Sequence, residues 1–201
     1  QRKRDCAMLA FDLPGDAGSL NYPGFGTVSF AASAVVSELD QRGIEAFHLA
    51  GHSMGGAVAA LIAIGQPSRV LSATLLAPGG MSSRINAPLL RGFAKARNRD
   101  DLELCLGQMT GPKSAILPEL VDTVTAQRRT PGQREALAHI VGRILRGQEQ
   151  GVIPRSALEA LAMPVAVVWG EEDQVMPCDA LKSVPSNFHT VLLQFVNNMQ
   201  L

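Results

Sequence analysis

Between an apolar run at residues 46–50 and an alanine-rich apolar run at 57–64, the chain carries Gly51-His52-Ser53-Met54-Gly55-Gly56. The first run has the length of a strand, and the second, closed by Gly65 and Pro67, suits a buried helix. A strand that passes into a helix through so few residues must turn sharply. A serine at the tip of such a turn sits in a strained conformation with its hydroxyl exposed. Gly51 and Gly55 are expected to remove side chains that would collide with neighbouring backbone. The helix start would aim its positive dipole end and the backbone N–H of Met54 at a developing oxyanion in front of Ser53. A serine hydroxyl is a weak nucleophile at its own pKa, so the motif still needs a base from elsewhere.

The same alternation continues on both sides. Residues 6–11 read as a short buried strand halted by Asp12-Leu13-Pro14-Gly15, with a Gly- and Pro-rich loop running on through Gly26. Apolar residues at helical spacing over 30–39 predict a helix stopped by Gly43, and 70–76 reads as a further buried strand. Apolar strands alternating with helices predict an α/β architecture, a mostly parallel sheet with crossover helices on both faces. From about 86 to 151 no strand pattern appears. Instead Leu137, Ile140, Val141, Ile144 and Leu145 fall on one helical stripe, and Pro88, Pro118 and Pro131 stand near expected helix starts. The strand pattern resumes at 164–170 and at 188–196. The predicted organisation is a core in two pieces, 1–80 and 156–201, interrupted by a helical cap at 81–155.

At 201 residues the chain can bury a proper core. A hydrophobic content of 46%, a charged content of 18% and a formal net charge of zero describe a soluble globular protein and exclude a basic nucleic-acid footprint. Cys6, Cys105 and Cys178 are odd in number and lack metal-ligand spacing, so neither a disulfide framework nor a metal site is expected. Reduced thiols in the cytoplasm are the expected state. The longest apolar run, 57–64, falls far short of the roughly 20 residues a membrane span needs, and no export signal follows the basic start Arg2-Lys3-Arg4. The expected partners therefore exclude nucleic acid and membrane, and no cofactor is expected.

Asp12-Leu13-Pro14-Gly15 ahead of Ser19, the 51–56 elbow, and Val168-Trp169-Gly170-Glu171-Glu172-Asp173 together resemble the α/β-hydrolase family across nearly the whole chain. The resemblance implies the α/β-hydrolase fold and places a triad acid after the penultimate strand, at Asp173, followed by Val175 and Pro177. Leu75-Leu76-Ala77-Pro78-Gly79-Gly80, Ile85-Asn86, Gly92-Phe93 and Asp101-Leu102-Glu103-Leu104 are similar to the hydrolase-like domain of the dihydrolipoyl acetyltransferase component of acetoin dehydrogenase systems. Association with a multienzyme complex is implied by that resemblance alone. Those proteins usually carry a lipoyl domain ahead of the hydrolase-like one, and these residues hold none, so lipoyl-linked acyl transfer is not carried over.

A Ser-His-Asp triad requires an imidazole, and the chain has four. His48 lies in the strand before the elbow, His52 flanks Ser53 and points away from it, and His139 lies opposite the apolar stripe of its helix and reads as solvated. His189 follows Asp173 in the family's chain order but falls in the last strand, so it is either the base or an ordinary strand residue. Aligned on Met199-Gln200-Leu201, Asn197 or Asn198 takes the family's histidine position, and an amide cannot serve as a general base. The family's second oxyanion N–H comes from a His-Gly stretch after an early strand, which finds no counterpart here. The N-terminal strands are therefore expected to be missing, and the chain reads as starting after the oxyanion loop and ending within the histidine motif.

Two functions follow. One is a serine hydrolase or acyltransferase acting on a small ester, thioester or related acyl substrate, with Ser53, Met54 N–H and Asp173 in the roles above. The other is a catalytically deficient binding or complex-assembly module, or a fragment, that keeps the fold. Cofactor-free oxidation at Ser53, as in haloperoxidases with a similar elbow, would also need a histidine.

Overall fold

The computed structural model describes residues 7–110 and 116–193. A 3-10 turn, Ala17–Ser19, precedes helix α1 (Val28–Gln41), strand β1 (Phe47–His52), helix α2 (Met54–Gly65) and strand β2 (Val70–Leu76). Helices α3 (Ala87–Lys95), α4 (Arg99–Thr110), α5 (Pro118–Arg128) and α6 (Gln133–Ile144) come next, and then strands β3 (Leu145–Arg146) and β4 (Glu149–Gln150). The chain continues through α7 (Arg155–Glu159), β5 (Val165–Gly170), a second 3-10 segment, Cys178–Ser183, and β6 (His189–Leu193).

Among the described residues four strands form one parallel sheet in the order β1-β2-β5-β6. Thr27 caps α1 by accepting the Phe30 N–H at 3.1 Å, and Ala31, Ala32, Val35 and Leu39 place one buried stripe against α2. Alanines let α2 lie close on the sheet; Ala60 and Ala63 are wholly buried. The facing sheet side chains are Ala73, Leu75, Val165, Val167 and Trp169, joined by Leu158 of α7. Of the two helical layers expected, the described residues supply the one on this face. His48, Ala50, His52 and Leu76 on the opposite face are exposed.

The β2–β5 connection is helical, with Pro88 and Pro118 in the first turns of α3 and α5. Ile140 and Val141 of the expected stripe are buried, with Leu137 packed beside them. Gln133 of α6 ties this region to the loop before α1, accepting the Ala17 N–H at 3.0 Å and donating to Asp16 at 2.9 Å. Arg128 of α5 is buried with its guanidinium 4.5 Å above the Phe93 ring, and its Nη2 has no hydrogen-bond partner among the described residues. Burial pushes its pKa below the ordinary arginine value. Among the described residues Arg128 makes no ion pair, and Asp16 only partly offsets its burial, so Arg128→Met should leave stability unchanged or raise it by about 1 kcal/mol in urea melts.

Three expectations are corrected. Residues 7–11 form no strand, and Met8 is 88% exposed. An apolar run becomes a strand only where a sheet edge receives its N–H and C=O groups, and no described strand pairs with this one. Cys6 lies outside the described residues. Within the stretch expected to lack strands, β3 and β4 form a two-residue antiparallel ladder across Gly147, which takes φ +67. The last strand begins at His189, after the buried Phe188, and the expected positions 194–196 lie outside the described residues.

Candidate active site

β1 delivers Ser53 directly to the N-terminus of α2. Ser53 has φ 53 and ψ −119, a conformation that costs a non-glycine residue on the order of 1–3 kcal/mol. It persists because the backbone is held on all sides. The Ser53 N–H donates to the Leu76 carbonyl at 2.9 Å, while the Ser53 carbonyl accepts the N–H groups of Ala57 at 3.2 Å and Gly79 at 3.0 Å. Serine at a helix N-cap ordinarily uses its hydroxyl to cap the first turn, but Ser53 makes no such bond, so Oγ is not occupied by the helix. Met54, the first helical residue, has a backbone N–H with no acceptor inside the helix.

The glycines divide differently from the sequence expectation. A Cβ on Gly51 would lie 2.2 Å from the Gly55 carbonyl oxygen, so Gly51 is required. A Cβ on Gly55 would meet nothing within 4 Å, which corrects the expectation that Gly55 avoids a collision. Gly56 is the second tight position, its hypothetical Cβ 2.8 Å from Pro78 Cβ. The helix turns Gly55 outward and Gly56 toward the loop after β2.

Asp173 lies in the loop that follows β5, half-buried. One carboxylate oxygen, Oδ1, accepts the N–H groups of Val175 at 2.8 Å and Met176 at 2.9 Å. The loop is stapled further by the Trp169 indole N–H, which donates to the Met176 carbonyl at 2.9 Å, and by the Glu171 N–H on the Leu193 carbonyl at 3.0 Å. Because β1, β2 and β5 are parallel neighbours, the chain leaves the sheet toward Ser53 and toward Asp173 at the same end, the carboxyl end of the strands, two strand spacings apart, about 10 Å.

None of the described histidines joins them. His189 pairs with Ala166 while Gly170 pairs with Leu193, so His189 sits four residues, about 13 Å, back along the strands from the end of the sheet that carries Asp173. His48 bonds the Ser72 hydroxyl at 2.8 Å on the open sheet face, and His52 is exposed on that face too. His139 is exposed and packs edge-on against Phe25, ring centroids 5.4 Å apart. Asn197 and Asn198 lie outside the described residues.

A cleft of about 720 Å³ opens between α4 and the Asp173 loop, lined by Asn86, Asp100, Glu103, Leu104, Gly107, Gln108 and Gln174. Ser53 is not on its wall. Asn86 caps α3 by accepting the Leu89 N–H at 3.1 Å, and its Nδ2 donates to the Gln174 carbonyl at 3.0 Å. An asparagine ahead of Pro88 reads as a helix N-cap, the signal that could have singled it out. Among the described residues no cluster of three His, Cys, Asp or Glu side chains could hold a metal ion, and no helix is long and apolar enough to cross a membrane.

A profile of the alpha/beta hydrolase family matches residues 1–193. The dihydrolipoyllysine-residue acetyltransferase component of the acetoin cleaving system of Cupriavidus necator is 33% identical over 178 residues, covering 89% of this chain and 48% of that protein. A 2-hydroxy-6-oxononadienedioate/2-hydroxy-6-oxononatrienedioate hydrolase of Dechloromonas aromatica is 28% identical, covering 74% of this chain and 53% of that one. The chain thus spans about half the length of these curated relatives. Among solved structures, a meta-cleavage product hydrolase from Pseudomonas fluorescens superposes with TM-score 0.72 at 16% identity, covering 86% of this chain and 65% of that one. A serine hydrolase from Cycloclasticus zankles gives 0.72 at 20% identity, with 91% and 69% covered. The fold is the one these hydrolases share.

Proposed function

This chain belongs to the alpha/beta hydrolase family, and from that premise we propose that it is a serine hydrolase or acyltransferase acting on a small ester, thioester or related acyl substrate. The observation that carries the reading is the strained Ser53, perched on a helix N-terminus with its hydroxyl unspent. Ser53 Oγ attacks the acyl carbon and its proton passes to a base. The oxyanion forms against the Met54 N–H and the positive end of α2, and the leaving alcohol or thiol departs with a proton. Water or an acceptor then takes the acyl group. Asp173, with Oδ1 held by two backbone N–H groups and no hydrogen bond to Oδ2 among the described residues, suits the role of orienting a base. Residues 81–155 act as a cap over the acyl site. Attachment to an acetoin-cleaving complex is proposed on the likeness to the Cupriavidus necator component.

Hydrolysis of p-nitrophenyl acetate tests the reading. Ser53→Ala is expected to lower the rate by at least about a hundredfold and Asp173→Asn by at least about tenfold. Equal rates for the wild type and Ser53→Ala would refute it. The position of His189 at the start of β6, four residues from the end of the sheet that carries Asp173, favours a second reading, a folded module that binds an acyl group or partner without turning it over. That reading predicts no Ser53-dependent rate in a folded sample.

A further inference from the structure

We propose that Gln150 is a positioning residue that couples the hairpin β3–β4 to the backbone of Ser53; its catalytic consequence rests on the reading of Ser53 as nucleophile. Gln150 is 7% exposed, and burying a carboxamide is tolerable only when both ends are bonded. Both are. Its Oε1 accepts the Gly80 N–H at 3.2 Å and its Nε2 donates to the Arg84 carbonyl at 3.3 Å. The main chain joins in, since the Gln150 N–H donates to the Ser83 carbonyl at 2.9 Å and the Ile153 N–H to the Gly80 carbonyl at 2.8 Å. Residues 79–84 therefore run along β4, with Arg84 bridged to Glu149.

That segment also holds the elbow. Gly79, next to the Gly80 amide that Gln150 grips, donates its N–H to the Ser53 carbonyl. A Cβ on Gly79 would lie 3.3 Å from Gln150 Oε1 and 3.6 Å from the Ser53 oxygen, so the Gln150 amide and the Ser53 carbonyl border the same side of Gly79. At its far end the segment reaches the acid loop, where the Asn86 N–H donates to the Val175 carbonyl at 2.8 Å. The other buried polar side chains, Arg128 and Gln133, bond elsewhere. Gln150 is thus the buried polar side chain through which a movement of the hairpin reaches the segment bracing Ser53 at one end and touching the Asp173 loop at the other.

Amide hydrogen exchange on the whole chain tests the coupling without needing activity. Gln150→Met keeps the volume and removes both bonds. It should speed exchange of the Gly79 amide at least about tenfold while α1 and β5 stay unchanged. Gln150→Glu, compared in mildly acidic buffer where a buried carboxyl keeps its proton, retains an acceptor for the Gly80 N–H and an O–H donor for the Arg84 carbonyl, and should stay within about threefold of the wild type. In parallel, the saturating rate of fluorophosphonate labelling at Ser53 should fall at least about tenfold in Gln150→Met, with the half-saturating probe concentration unchanged. Unchanged Gly79 exchange, or a rise of the same size in α1 and β5, would overturn the proposal, as would unaltered labelling where the wild type labels. If the wild type fails to label, the nucleophile reading falls, and exchange alone decides whether Gln150 positions the elbow.

Discussion

Gly51→Ala is expected to lower stability by about 3 kcal/mol or more, whereas Gly55→Ala, in the same motif, should shift it by less than about 1 kcal/mol and in the stabilising direction. The contrast comes from where each Cβ would go. On Gly51 it would enter the Gly55 peptide, at 2.2 Å from the oxygen and 2.5 Å from the carbonyl carbon, and both atoms belong to backbone that cannot rotate away. Relief requires opening the turn that holds Ser53. On Gly55 the methyl would point into open space on a helix, where alanine is preferred over glycine because it loses less conformational entropy on folding. Urea denaturation followed by circular dichroism checks both. Equal destabilisation of the two variants would show that the elbow is not packed as described.

The second large effect is at Trp169. It is the only tryptophan, 1% exposed, with side-chain contacts across the α2 face of the sheet and an indole N–H that fixes the carbonyl of Met176. Trp169→Ala should cost about 3–5 kcal/mol, from lost apolar burial and the cavity left behind. Trp169→Phe keeps most of the packing and orphans the Met176 carbonyl, so a loss of about 1–3 kcal/mol is expected. The same substitution should loosen the loop that carries Asp173, because Met176 is one of the two residues whose N–H groups hold the Asp173 carboxylate. Chemical denaturation measures the first effect, and amide exchange of Val175 and Met176 the second. A Trp169→Phe variant with wild-type stability and exchange would show that the indole bond holds nothing.

Strand β2 spans the very residues, 70–76, at which the hydrophobic run begins and ends, because a strand with partners on both sides and one buried face is written into its own composition. The strand-to-helix passage at Ser53 was legible for the same reason. Residues 7–11 were not, since their apolar character says nothing about whether an edge exists to receive them. The hairpin β3–β4 is two residues a side, too short for any period to show. Nor does the hexapeptide reveal which of Gly55 and Gly56 is crowded. That depends on Pro78, contributed by a loop more than twenty residues later. Gln150 stands in a polar stretch that reads as surface, and only the tertiary course of residues 79–84 buries it.

A nucleophilic Ser53 is expected to react covalently with a fluorophosphonate probe. Folded protein incubated with the probe, digested and analysed by mass spectrometry should carry one adduct, on the peptide containing Ser53, and Ser53→Ala should carry none. Absence of an adduct in a sample shown by circular dichroism to be folded, or an adduct on another residue that persists in Ser53→Ala, would show that Ser53 is not the nucleophile.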